Sequence, residues 1–191
     1  MLSQPERFVA GLLKNGAVGV MPTDTIYGIV GSALRRDTVE RIYHLRKRDP
    51  EKPMIILIAS PGDLKSFGIS PSPRTKKILG NVWPGKVSVV LPCPSKKFHY
   101  LHRGTKTLAF RMPAPPHLRR LLRATGPLVA PSANFEGEEP ARTITEAKRY
   151  FGENVEFYGS AGRRTASKPS TLISLDAQGN VTILRKGAAK V

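Results

Sequence analysis

The chain has 191 residues, 40% hydrophobic and 24% charged, a length for one domain with a real core and a balance that excludes disordered and fibrous classes. Lys and Arg number 31 against 14 Asp and Glu, a formal charge of +17, which points to a polyanionic partner, nucleic acid first. With Cys93 as the one cysteine, a polar N-terminus and no apolar run near the about 18 residues that cross a bilayer, disulfides, thiolate metal clusters, secretion and membrane insertion are not expected, and a reducing cytoplasm is.

Ser3 and Pro5 open an amphipathic stretch carrying Phe8, Val9, Leu12 and Leu13, and Asn15-Gly16 closes it, which predicts a first helix. Residues 17–21 read as a buried strand, followed by Met-Pro-Thr-Asp-Thr-Ile-Tyr-Gly at 21–28. Hydroxyls, a carboxylate and a phenol at a strand end either bind something polar or, for Thr23 and Asp24, cap a turn with their own backbone. Asp37 with Glu40 resembles a capping box for a helix bearing Val39, Ile42, Tyr43 and Leu45, and Pro53 precedes a strand at 54–59. Ser60 and Pro61 start a short helix, 74–81 forms another, and Trp83-Pro84-Gly85 turns the chain into strands at 87–91 and 107–111. Leu118, Leu121 and Leu122 lie at helical spacing between Pro115 and Arg123, before a strand at 128–130 and a polar loop at 132–142. Thr145 is placed to cap a helix ending at Phe151-Gly152, and strands follow at 155–158, 171–175 and 181–184, the last two joined at Gln178-Gly179-Asn180.

Alternating strands and helices with a final hairpin predict an α/β fold, a mixed sheet covered by helices. Loops after strand ends form the crevices of such sheets, so the segments at 22–28, 111–113 and 131–134 are expected to converge. The basic residues fall in small groups, among them Arg35-Arg36, Arg46-Lys47-Arg48, Lys96-Lys97, Arg119-Arg120 and Arg163-Arg164. Any one pair reads as a solvated face, so a patch must be assembled by folding.

No phosphate loop, Gly-x-Gly-x-x-Gly, His-Glu-x-x-His or nucleophile elbow around Ser132 or Cys93 occurs. His44, His99, His102 and His117 make no metal spacing, His99 and His102 being expected in a surface loop, so no metal site from protein alone is predicted. The remaining chemistry is hydroxyls (Thr23, Thr25, Ser132, Ser170), the Asn134 amide and Arg46, Arg48, Arg111 and Arg185. That set suits holding phosphates and a carboxylate by position and charge.

The segments 22–28, Arg46-Lys47-Arg48 with Pro53-Met54, Trp83-Pro84-Gly85, Arg111-Met112-Pro113, Pro131-Ser132-Ala133-Asn134, Ser170-Thr171 and Arg185-Lys186-Gly187 together resemble the YrdC/TsaC family, in order and spacing, over nearly the whole chain. The length resembles its short form, so residues 1–191 are expected to be a single YrdC-like domain. The resemblance implies a twisted α/β sheet around a basic concavity able to bind RNA. It also implies synthesis of L-threonylcarbamoyladenylate and pyrophosphate from L-threonine, bicarbonate and ATP, for modification of tRNA at N6 of the adenosine beside the anticodon. By the same resemblance Thr23, Thr25, Arg111, Ala130 and Ser170 would form the threonine pocket, with Arg111 on the carboxylate, while Asp24 would keep only a turn-capping role. Arg46, Arg48, Lys52, Thr107, Ser132, Asn134 and Arg185 would hold ATP, Arg46 and Arg48 serving as the catalytic charges. Mg²⁺ would arrive on ATP oxygens and water, and tRNA or double-stranded RNA and the proteins that transfer the threonylcarbamoyl group would be partners. An N-carboxy-threonine would attack the α-phosphate, with no side-chain nucleophile.

This chain departs from the family pattern in three places. Arg46 stands where lysine is usual, Leu57 where long relatives have histidine, and Glu136-Gly137-Glu138-Glu139 where the pattern has Ser-Gly-x-Pro. Two other readings of the same residues are a non-catalytic RNA-binding module of this fold and a carbamoyl-transfer relative using carbamoyl phosphate, an activity usual in much larger chains.

Overall fold

In the computed structural model, which describes residues 2–163, 168–176 and 178–191, helix α1 (Gln4–Lys14) starts on a reciprocal cap. Ser3 accepts the Glu6 N–H and Glu6 accepts the Ser3 N–H, which satisfies two otherwise orphaned donors. Strands β1 (Gly19–Pro22) and β2 (Tyr27–Ser32) follow as an antiparallel hairpin pairing Pro22 with Tyr27. From sequence the strand before it is expected to run into a loop here, because Tyr-Gly-Ile-Val-Gly-Ser carries two glycines that weaken strand propensity. The reason for Gly31 is packing: a Cβ there would lie 2.5 Å from Thr38 Cγ2 of helix α2 (Arg36–Leu45).

Helix α2 has no side-chain cap. Asp37 sits inside its first turn, 3.1 Å from the Arg35 guanidinium, so the expected capping box is replaced by an exposed ion pair of little energetic weight. Then come β3 (Ile55–Leu57), a 3-10 turn (Pro61–Phe67) and α3 (Pro73–Val82). Strand β4 (Val87–Pro92), the short helix α4 (His99–His102) and β5 (Thr107–Arg111) follow. Helix α4 was expected as surface loop; four residues leave no periodicity to read, and His102 is buried with its Nδ1 accepting the Gly104 N–H. Next are α5 (Pro116–Thr125), β6 (Leu128–Val129) and α6 (Ile144–Phe151), whose cap is Thr143, accepting the Glu146 N–H, rather than Thr145. Strands β7 (Phe157–Tyr158), β8 (Thr171–Leu175) and β9 (Val181–Arg185) complete the order.

The nine strands form one mixed sheet in the order β7-β1-β2-β6-β3-β5-β4-β8-β9. Pairs β1/β7, β3/β5 and β4/β8 are parallel and the rest antiparallel. Alternation along the strands decides what each face does. Ile56, Phe110, Leu108, Val89, Leu91, Ile173 and Leu175 join the main core with α2, α3, α4 and α6. On the opposite face α1 and α5 pack over the β3, β6 and β2 end, through Leu13, Leu121, Leu122, Val30, Leu57 and Leu128, with Met21 of β1 and Phe157 of β7 at its margin. Thr107, Ala109, Val90 and Leu172 on that same face have no helix of the described residues over them and line a cavity. A helix-covered sheet was expected; here half of one face is left open as a trough.

The chain closes the far side of the trough with its last residues. Thr171 Oγ1 accepts the N–H groups of Gly187 (3.1 Å) and Ala189 (3.2 Å). A Cβ on Gly187 would stand 2.3 Å from the Pro169 carbonyl oxygen, so only glycine permits this approach, and it seats Arg185 beside Ser170. Phe110, fully buried with its ring 5.1 Å from that of Phe67, anchors β5 on the main core. Phe110→Ala should destabilise the fold by about 3–5 kcal/mol, measured by urea denaturation.

Candidate active site

The β1–β2 turn is built by Thr23. Its N–H and hydroxyl both donate to the Ile26 carbonyl (3.0 and 2.7 Å), and its Oγ1 accepts the Thr25 N–H at 3.2 Å. Turn capping and site formation therefore coincide in one residue, since Thr23 and Thr25, hydroxyls 3.2 Å apart, also wall a cavity of about 90 Å³. An isolated bridge between Gly28 and Ser132 brings the loop after β6 to the hairpin. Arg111 at the end of β5, Ala130 and Ser170 complete the wall with Arg185. The three loops expected to converge do so.

Asp24 departs from its expected turn-capping role. Its side chain is 2% exposed and its Oδ1 lies 3.1 Å from Arg111 Nη2, itself 4% exposed. Among the described residues neither Asp24 oxygen makes an aligned hydrogen bond, and Arg111 Nε has no acceptor. Burial pushes the Arg111 guanidinium below its ordinary pKa, Asp24 pulls it back up, and Arg185 adds like-charge repulsion. Sequence gives no direct signal for this pair, because Asp24 and Arg111 are distant in the chain. Ser170 is buried with its hydroxyl 2.8 Å from that of Ser88, and its carbonyl accepts from Arg185 Nη2 at 2.9 Å.

A larger cavity of about 390 Å³ adjoins the first, and Ile55, Pro131, Ser132 and Arg185 face both. Its wall is Arg46, Arg48, Thr105 and Thr107, and its floor is the open sheet face with Met54, Val90, Ala109, Leu172 and Leu184. Arg46, at the C-terminus of α2, is 3% exposed. Its Nε donates to the Asn134 carbonyl (3.1 Å) and its Nη2 to Ser132 Oγ (3.2 Å) and Asn134 Oδ1 (3.4 Å). A lysine could not make this fork, which accounts for arginine at this position. Nη1 has no acceptor among the described residues. Burial first, then the Arg48 charge, lowers the Arg46 pKa to about 10, so the group is still a cation at neutral pH.

Two residues expected at the nucleotide lie off both cavities. Asn134 Nδ2 donates to the Phe135 and Glu138 carbonyls at 2.6 and 2.8 Å, so its amide shapes the loop and orients Arg46. Lys52, with a side chain 58% exposed, pairs with Glu136 (3.0 Å) and Asp49 (3.4 Å). Lys47 turns away at a positive φ of 49°, its ammonium 4.3 Å from the Phe135 ring centroid. Leu57 is buried in the smaller core under α5. The apolar floor and Thr105 escaped the sequence reading because ordinary strand residues carry no sign of which sheet face is bare. Among the described residues no three His, Cys, Asp or Glu side chains gather as metal ligands. Asp24→Asn would leave the Arg111 charge buried and uncompensated, so it should cost about 3–5 kcal/mol of stability, read from urea unfolding at neutral pH.

Comparison with known proteins bears on this geometry. The family model of the Sua5/YciO/YrdC domain, described as telomere recombination, matches residues 11–187. A Bacillus subtilis protein named threonylcarbamoyl-AMP synthase is 36% identical over 72% of this chain and 40% of its own length. A Mycobacterium tuberculosis protein named putative threonylcarbamoyl-AMP synthase is 31% identical over 86% of this chain and 76% of its own. The crystal structure of Pyrococcus abyssi Sua5 complexed with L-threonine superposes with a TM-score of 0.85 at 29% identity, covering 95% of this chain and 54% of that one. The chain thus spans about half or less of the Bacillus and Pyrococcus relatives. On the family match over 11–187, with two relatives above 30% identity, the chain belongs to the Sua5/YciO/YrdC family.

Proposed function

We propose that this chain is a nucleotidyltransferase that joins L-threonine, bicarbonate and ATP into L-threonylcarbamoyladenylate with release of pyrophosphate, supplying N6-threonylcarbamoyladenosine to tRNA beside the anticodon. The observation that carries the proposal is the pair of adjoining cavities, the small one walled by buried Arg111 and the large one by buried Arg46, each arginine having one buried N–H without an acceptor among the described residues. A buried unpaired donor costs about 1–3 kcal/mol, a cost that an anionic ligand would remove. The relatives named as threonylcarbamoyl-AMP synthases and the threonine bound in the Pyrococcus structure support the choice of ligands.

In this reading the small cavity takes threonine, with Arg111 on the carboxylate and the Thr23, Thr25 and Ser170 hydroxyls around the rest. The large cavity takes ATP, its base on the apolar floor and its phosphates toward Arg46 and Arg48. Ser132 and Arg185 face both cavities, so the threonine nitrogen and the α-phosphate would meet between them. Addition of the amine to bicarbonate with loss of water gives an N-carboxy-threonine. Its carboxylate oxygen bonds to the α-phosphorus as the bond to pyrophosphate breaks. The chain's contribution is proximity and cationic stabilisation of the phosphoryl charge. Mg²⁺ would come on triphosphate oxygens and water; the carboxylates beside the cationic segment, Asp49 and Glu136, are both engaged with Lys52, and no step is assigned to the ion.

The charge of +17 supports direct binding of tRNA or another RNA, in partnership with the proteins that transfer the threonylcarbamoyl group. Pyrophosphate release by the purified protein with ATP, bicarbonate and Mg²⁺ should depend on L-threonine, and absence of that dependence would falsify the proposal. Arg111→Ala should weaken threonine binding about tenfold or more, from the loss of a charge-assisted bond, while ATP binding measured by calorimetry stays within about twofold.

A further inference from the structure

The segment joining α2 to β3, residues 46–53, carries Arg46, Arg48 and Lys52, and Glu136 touches it at four points. Its backbone N–H donates to the Arg46 carbonyl at 2.9 Å, and its Oε2 accepts the Asp49 N–H. Its Oε1 lies 3.0 Å from Lys52 Nζ and 3.9 Å from Arg48 Nη1. The backbone N–H of Asp49 and the Lys52 ammonium hold the Glu136 carboxyl below the usual carboxylate range, so it is an anion at neutral pH.

These contacts do two separable things. The bonds to the Arg46 carbonyl and the Asp49 N–H fix the shape of the segment, and neither needs a charge. The ion pairs to Lys52 and Arg48 do need it, and they hold one cation that lines the large cavity, Arg48, and one that stands just outside it, Lys52. The Lys52 pair stands in solvent, with side-chain exposures of 58% and 25%, and an exposed pair of this kind is opened cheaply. A triphosphate offers more charge and more acceptor oxygens than one carboxylate, so it wins the cations while the neutral contacts stay. We infer that Glu136 is an internal counter-ion of the phosphate-binding segment, holding Lys52 and Arg48 until the triphosphate displaces its carboxylate. This rests on the nucleotide reading above. It assigns to Glu136, which occupies one of the positions where this chain departs from its family's pattern, control over how tightly the nucleotide is held.

Glu136→Gln separates the two roles, because its amide oxygen can still accept the Asp49 N–H while the charge is gone. Calorimetric titration at low ionic strength should show ATP binding about two- to fivefold tighter in this variant, with adenosine and L-threonine unchanged. The gain should shrink as salt rises, a response that a purely structural role would not give. Glu136→Ser, which removes charge and acceptor together, provides a second variant whose ATP affinity should also exceed that of the unaltered protein. Equal or weaker ATP binding in both variants, with adenosine binding retained, overturns the counter-ion role and leaves the nucleotide reading standing. Absence of ATP binding from the unaltered protein and both variants overturns both.

Discussion

Arg111 carries a guanidinium on a side chain only 4% exposed at the end of a central strand, and a charge so placed costs several kcal/mol unless something compensates it. Asp24 is that compensation, and much of the surrounding structure follows from the need to bring it there. The β1–β2 hairpin must turn within Thr23–Ile26 to aim Asp24 inward, Thr23 closes that turn with its own hydroxyl, and the β6 loop must meet Gly28 to seal the pair from water. Arg111 Nε is left without an acceptor among the described residues, so the pair is stable as a scaffold and incomplete as a hydrogen-bonding group. Arg46 repeats the arrangement with neutral partners: Ser132 and Asn134 take two of its nitrogens and the third has no acceptor among the described residues. Unfinished hydrogen bonding on buried cations turns two hollows into candidate anion sites.

The sheet explains why the two hollows adjoin. Helices α1 and α5 cover one end of a face whose other end is bare, and the strands under the bare part end near the loops that carry the polar residues. The apolar floor and the arginine-lined wall thus meet at Ser132 and Arg185. The final residues complete the enclosure, since Gly187 lets the chain pass against Pro169 and set Arg185 over Ser170.

Legibility in the sequence was uneven for physical reasons. Helices with three or more apolar residues at regular spacing, such as α5 with Leu118, Leu121 and Leu122, were legible because periodicity reports burial directly. Strand β2 is hidden by two glycines with tertiary purposes that local propensity does not contain: Gly31 admits Thr38 and Ile42 from a helix, and Gly28 lies against Thr23 and the Pro131 carbonyl. The site residues Thr23, Arg46, Arg111, Ser132, Ser170 and Arg185 stand out as polar groups at strand and helix ends, and the structure brings them together. Asp24 and Glu136 were misread or left open because their meaning lies in partners far along the chain, Arg111 for one and the 46–53 segment for the other. Asn134 shows the reverse error: its position in a motif beside Ser132 suggests ligand contact, while its amide is spent on two carbonyls of its own loop.

In the proposed complex two anions lie side by side against two buried arginines, Arg111 and Arg46. A crystal structure with ATP and L-threonine bound together tests it most directly. The threonine carboxylate is expected within hydrogen-bonding distance of Arg111 Nε, the triphosphate on Arg46 Nη1, and the threonine nitrogen near the α-phosphate beside Ser132. Threonine bound elsewhere, or a triphosphate lying away from Arg46, would contradict it.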